Sequence, residues 1–95
     1  MKVVVVATRK PDAKPEQFQP YLEEEANHAL RLYRDEYVRE IYNRTDGKGA
    51  ILVLECDDEK HAERLVGELP LAKVGLLQFE IYGTKPYRGI VAHVK

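Results

Sequence analysis

His28 follows Glu24 and Glu25 by one helical turn. That spacing lets a carboxylate orient the imidazole or raise its basicity, which a proton-transfer site requires, although a solvated histidine on a helix surface would show the same pattern. Arg39 stands beside Glu40, with Arg31, Arg34 and Arg44 close in sequence. A guanidinium can grip a carboxylate with two parallel hydrogen bonds, and the same charges also suit an edge strand that must resist aggregation. Gln78, Glu80 and Tyr82 alternate with Leu77, Phe79 and Ile81, so an extended chain puts the polar set on one face. Either that face meets solvent or a second subunit, or Glu80 and Tyr82 line a pocket with Tyr42, where a buried Glu80 would serve as acid or base.

These residue types fit a proton shift on a carbon acid. Such chemistry needs a base in reach, a cation or donors for the developing enolate, and a hold on any substrate carboxylate. His28 and Glu80 are the candidates for proton transfer, Arg39 and Arg88 for the anion, and Tyr42 and Tyr82 for the pocket wall. The 6 tyrosines, against 2 Phe and no Trp, add hydroxyls to apolar surroundings, which suits a small polar ring as well as an interface.

The elements that would position them are set by hydrophobic patterning. Val3 to Ala7 and Ala50 to Leu54 are apolar at every position, as strands covered on both faces are, whereas Tyr37 to Arg44 and Leu76 to Thr84 mix in polar residues, as edge strands do. From Glu16 to about Arg34, Phe18, Leu22, Ala26, Ala29, Leu30 and Tyr33 recur at helical spacing, behind a Pro15 suited to the first helical position. A second helix starts after Asp57 or Asp58, buries Ala62, Leu65, Val66 and Leu69, and stops at Leu69-Pro70-Leu71. Asp46-Gly47 marks a hairpin turn between the second and third strands.

The order is β-α-β-β-α-β, a ferredoxin-like α+β arrangement with strand order 4-1-3-2 and both helices on one face of an antiparallel sheet. The other face has no cover within one chain. A second copy joined sheet to sheet is the simplest cover, which makes a homodimer, or a higher oligomer built from it, the expected assembly. The tail from Lys85 to Lys95, apolar at Ile90, Val91 and Val94, is a further docking element.

Composition narrows the classes. The 95 residues fit one domain spanning 1–95, and a chain this short hides only about 60% of its unfolded surface, so burial between subunits matters. The 15 basic and 16 acidic residues leave a net charge of −1, which advertises neither nucleic acid nor membrane as a partner. A single cysteine, Cys56, cannot pair within the chain and reads as a small core residue of a reduced, cytoplasmic protein. It also rules out a Cys-x-x-Cys metal carrier, and the Val and Leu of strands one and three are not the stacking aromatics of an RNA-binding sheet. No phosphate loop, nucleophile elbow or His-x-x-x-His pair occurs, and the first apolar run is too short for a signal peptide or a membrane span.

Glu25 to Leu32, Arg34 to Ile41, Glu63 to Leu71 with its Glu68-Leu69-Pro70-Leu71, and the strand Phe79-Glu80-Ile81-Tyr82 resemble the muconolactone isomerases, members of the dimeric α+β barrel superfamily. The resemblance runs over roughly residues 20–90. It differs at Tyr42-Asn43, where that family leads one to expect Trp-Arg, and at Tyr87-Arg88-Gly89 in place of Arg-His-Pro. It implies a dimeric barrel and a proton shift on a small carboxylated lactone, without metal or organic cofactor, in a pocket between sheet and helices. A non-catalytic ligand-binding dimer or an assembly module of the same fold are the alternatives.

Overall fold

Val occupies four successive positions, 3 to 6, and its branched side chains favour the extended backbone of β1 (Lys2–Arg9). A computed structural model describes the backbone of residues 1–93 and the side chains through residue 90. In it β1 lies inside a 4-stranded sheet with β2 (Val38–Asn43), β3 (Gly49–Glu55) and β4 (Leu77–Gly83), in the order β2-β3-β1-β4. Every neighbouring pair is antiparallel. This is the expected order 4-1-3-2 read from the opposite edge. Val94, and the side chain of Val91, fall outside the described residues.

One face of the sheet carries the core. Val3, Val5 and Ala7 of β1 and Leu52 and Leu54 of β3 are buried against Leu32, Ala62, Val66 and Leu69 from the helical side. Each buried Val or Leu among them contributes about 1.5–3 kcal/mol. Val4, Val6, Ile51 and Val53 alternate onto the other face and stay partly exposed.

The helical layer departs from the expected pair of helices. The segment after Pro15 is broken into α1 (Pro15–Phe18), a 3-10 turn over Gln19–Tyr21 and α2 (Leu22–Arg34). Pro20 lacks an N–H and crowds the preceding turn, which resets the phase of α2. As a result α2 buries Leu32, while Leu22, Leu30 and Tyr33 of the expected apolar stripe are 39%, 44% and 56% exposed. The second expected helix divides likewise into α3 (Glu59–Gly67) and α4 (Pro70–Lys73), because Pro70 stops one helix and starts the next. Asp58, not Asp57, is the cap of α3, its Oδ1 accepting the His61 N–H at 2.8 Å. A final helix, α5 (Arg88–His93), follows β4.

Connections are fixed by backbone chemistry. The hairpin Gly47 adopts φ 72°, and Asp46 Oδ1 accepts the Lys48 N–H at 2.9 Å. Gly49 begins β3 so close to β1 that a Cβ there would sit 1.9 Å from the Ala7 carbonyl oxygen. At the end of α2, Glu36 takes φ 68°, with Glu36 N–H bonded to the Tyr33 carbonyl and Tyr37 N–H to the Leu32 carbonyl. That is a Schellman ending with a non-glycine residue at the left-handed position. Among the described residues no helix is long and apolar enough to cross a membrane.

Candidate functional site

A cleft of about 250 Å3 opens between α2 and the helix-facing side of the sheet. Its walls are largely aliphatic, with Ala26 and Ala29 from α2, Leu52 from β3, Leu69 and Leu71 around the start of α4, and Leu77 from β4. Three residues with polar side chains are part of its lining. Glu25 comes from α2, Arg9 from the end of β1 and Asn43 from the end of β2.

Glu25 is half-buried, and one of its oxygens is committed. Oε1 accepts the backbone N–H of Leu71 at 2.9 Å, so the carboxylate caps the first turn of α4. Burial among apolar neighbours pushes its pKa above the usual carboxylate range, opposed by that hydrogen bond. Among the described residues Oε2 has no hydrogen-bond partner in the protein. A carboxyl group in this setting keeps its proton to higher pH than a solvated one and can present it to a ligand.

Arg9 is held in place at the cleft mouth. Its N–H donates to the Lys48 carbonyl at 2.7 Å, the next N–H, of Lys10, donates to the Leu76 carbonyl at 3.0 Å, and its guanidinium lies 5.1 Å from the centroid of the Phe18 ring. A second cavity, of about 510 Å3, adjoins the cleft here and shares Arg9 and Leu22 with it.

The six residues singled out from sequence lie elsewhere in the chain. His28 lies on the α3 side of α2, in a cavity lined also by Leu32, His61 and Arg64. Burial and the Arg31 guanidinium, whose NH2 lies 3.2 Å from His28 Nδ1, hold its pKa below the usual histidine value. Arg39 sits at the irregularity between Val38 and Glu40 and donates from Nε to the Glu36 carbonyl at 2.8 Å, tying β2 to the turn after α2. Arg88 is exposed at the start of α5.

Tyr42, Tyr82 and Glu80 belong to the uncovered sheet face, and the strand registers order that face into two rows. One runs Tyr42, Ile51, Val6, Glu80 and the other Glu40, Val53, Val4, Tyr82. Tyr42 donates to Glu40 Oε1 at 2.7 Å and Tyr82 to Glu80 Oε2 at 2.6 Å. Those hydrogen bonds to carboxylates push both phenols above the usual tyrosine pKa. The face is therefore an apolar centre with a Tyr–Glu pair at each edge. The sequence brings Tyr42, Glu80 and Tyr82 to one surface, but it is not the surface that forms the cleft.

Sequence patterning singles out Glu25 only as a companion of His28, and it singles out neither Arg9 nor Asn43. One signal of the cleft is present in the chain. Leu22, Glu25, Ala29 and Leu32 recur at steps of three and four, so a carboxylate interrupts the stripe that faces the sheet.

No protein-family model matches the chain, and no curated protein matches it. Among solved structures, a muconolactone isomerase superposes over 93% of this chain and 92% of its own, with a TM-score of 0.75 at 20% sequence identity. The 5-chloro-2-hydroxyhydroquinone dehydrochlorinase of Burkholderia phenoliruptrix AC1100, in complex with 2,5-dihydroxybenzoquinone, matches 94% of this chain and 98% of its own, with a TM-score of 0.67 at 17% identity. The resemblance read from sequence is thus met at the level of architecture: this chain folds as muconolactone isomerase does.

Proposed function

We propose that this protein is a small enzyme of the muconolactone isomerase type, moving a proton on a small carboxylated ring compound such as a lactone from aromatic catabolism. The cleft between α2 and the sheet is its active site in this reading, and Glu25 is its acid and base. The observation that carries it is the Glu25 carboxyl, half-buried among aliphatic side chains, with one oxygen tied to Leu71 and its pKa raised by burial.

In that chemistry ionised Glu25 takes the proton from a carbon next to the carbonyl, electrons move onto the carbonyl oxygen, and the protonated Glu25 returns the proton at the far end of the conjugated system. Asn43, lining the same cleft, supplies an amide donor for the enolate oxygen. The two fold neighbours, an isomerase and a dehydrochlorinase bound to a quinone ring, support a pocket for small rings. A shift of this kind asks the protein only for proton handling and positioning, and the reading invokes no metal or organic cofactor.

The same reading includes a cytoplasmic homodimer joined through the uncovered sheet face. Val4, Val6, Ile51 and Val53 form a continuous apolar centre there, and the Tyr42–Glu40 and Tyr82–Glu80 pairs offer hydrogen-bonding groups at its edges.

The test is exchange in D2O. The protein is incubated with a panel of unsaturated lactones and their carboxymethyl derivatives, and proton NMR follows loss of signal at the carbon next to the carbonyl. Enzyme-dependent exchange that disappears in Glu25→Gln is the expected result; a panel in which no compound exchanges faster than in buffer overturns the reading.

A further inference from the structure

The outer cavity adjoining the cleft is cationic, and among the described residues no carboxylate lines it. Arg9, Lys10 and Lys48 all line it, and among the described residues none of the three has a carboxylate within ion-pair distance. Arg44, close by, shows the contrast, since Asp46 holds its guanidinium at 2.6 Å. Asp46 spends its other oxygen on the Lys48 N–H, and neither Asp12 nor Glu16 of the neighbouring segment lines the cavity. Arg9, Lys10 and Lys48 thus share one concave surface whose lining includes no carboxylate.

The cavity is also built to hold its shape. The Arg9 backbone is fixed to Lys48 on one side, and the following N–H is fixed to Leu76 on the other. Phe18, only 5% exposed and packed with Leu71 and Leu76, forms a flat apolar floor against which the guanidinium rests. Resting on a ring restricts the side chain and leaves the in-plane N–H donors pointing outward, the geometry in which guanidinium takes an oxyanion. Because Arg9 and Leu22 line both spaces, an anion in the outer cavity would lie next to a group in the cleft.

We infer that the outer cavity is an oxyanion subsite of the same binding site, with Arg9 as a specificity-determining residue aided by Lys48 and Lys10. Its ligand is a molecule with two parts, an apolar ring that enters the cleft toward Glu25 and a carboxylate or phosphate that stays outside with Arg9. This inference rests on the cleft being the binding site, and it assigns the anion to residues that neither Arg39 nor Arg88 accompanies.

The experiment titrates 15N-labelled protein with phenylacetate, phenyl phosphate and the neutral phenylacetamide, reading amide shifts at Ala29 and Leu71 for the cleft and at Arg9 and Lys48 for the outer cavity. One of the two anions is expected to move both sets and to bind at least tenfold tighter than phenylacetamide, and which one does so separates carboxylate from phosphate. The preference is expected to fall with added KCl and to vanish in Arg9→Gln, with Lys48→Gln reducing it in part, while Glu25→Gln keeps it. Equal binding of all three, or a preference that Arg9→Gln leaves intact, overturns the subsite while the cleft reading stands. If no probe moves Ala29 or Leu71, both fall together.

Discussion

Glu25 Oε1 accepts the backbone N–H of Leu71 at 2.9 Å, joining two residues 46 positions apart. The bond couples the cleft to the fold, because the carboxylate that faces the cavity also closes the start of α4. Its two roles can be separated by substitution. Glu25→Gln keeps an acceptor for Leu71 and loses the titratable group; Glu25→Ala loses both. We expect proton exchange to fall by about 10²–10⁴-fold in either variant. Chemical denaturation should report a loss of about 1–2 kcal/mol in the alanine variant alone. Equal destabilisation of the two would show that the cap matters less than packing at this position.

Burial raises the Glu25 pKa, and this fixes the sign of its effect on stability. Between the unfolded carboxylate value, about 4.3, and the raised folded value, the native state holds a proton that the unfolded chain has released. Stability therefore declines as pH rises through that window, and the penalty is complete above it. Thermal melts of the parent and of Glu25→Gln should agree below about pH 4. They should diverge at higher pH, with the variant the more stable. A gap between them that is the same at every pH would mean that Glu25 titrates as it does in the unfolded chain.

The rows across the uncovered sheet face make a direct test of assembly. Val6 and Val53 lie at its centre, so Val6→Lys places an unpaired charge where a second subunit would pack. Leaving such a charge buried costs about 3–5 kcal/mol, enough to weaken association by at least 100-fold. Sedimentation should show a dimer for the parent and a folded monomer for the variant. A parent that sediments as a monomer at tens of micromolar would sink the sheet-to-sheet assembly.

Glu36 is a non-glycine residue at φ 68°, held there by the hydrogen bonds that end α2. A side chain in that region costs about 1 kcal/mol that glycine avoids. Glu36→Gly should raise the denaturation midpoint by a corresponding amount, since the Arg39 contact is to the Glu36 carbonyl and survives the change. Gly49→Ala should do the reverse, at a cost of about 2–3 kcal/mol, because its methyl would strike the Ala7 carbonyl.

Strand identity, sheet order and the uncovered face could be read from the chain because each rests on short-range patterning. The apolar runs Val3 to Ala7 and Ala50 to Leu54, alternating β4 and the Asp46-Gly47 turn each declare their place locally, and the tight hairpin sets how β2 and β3 pair next to the turn. The helices were less legible. Pro20 and Pro70 each introduce a break that shifts the phase of the next segment, and a shift of one position decides whether Tyr33 or Leu32 meets the sheet.

The site itself was decided by tertiary structure. Arg9, Glu25, Asn43 and Leu71 come from four separate elements, and no spacing along the chain announces that they share one cleft. Glu80 and Tyr82 offered the clearer local pattern, but the pleat sends them to the face that the helices do not cover. The sequence determined which strands form, how they order and that one face of the sheet is left without helices, since hydrophobic period alone encodes these. Only the packing of α2 and α4 over the sheet selected Glu25 as the buried carboxylate, because burial is a property of what surrounds a residue and not of its place in the chain.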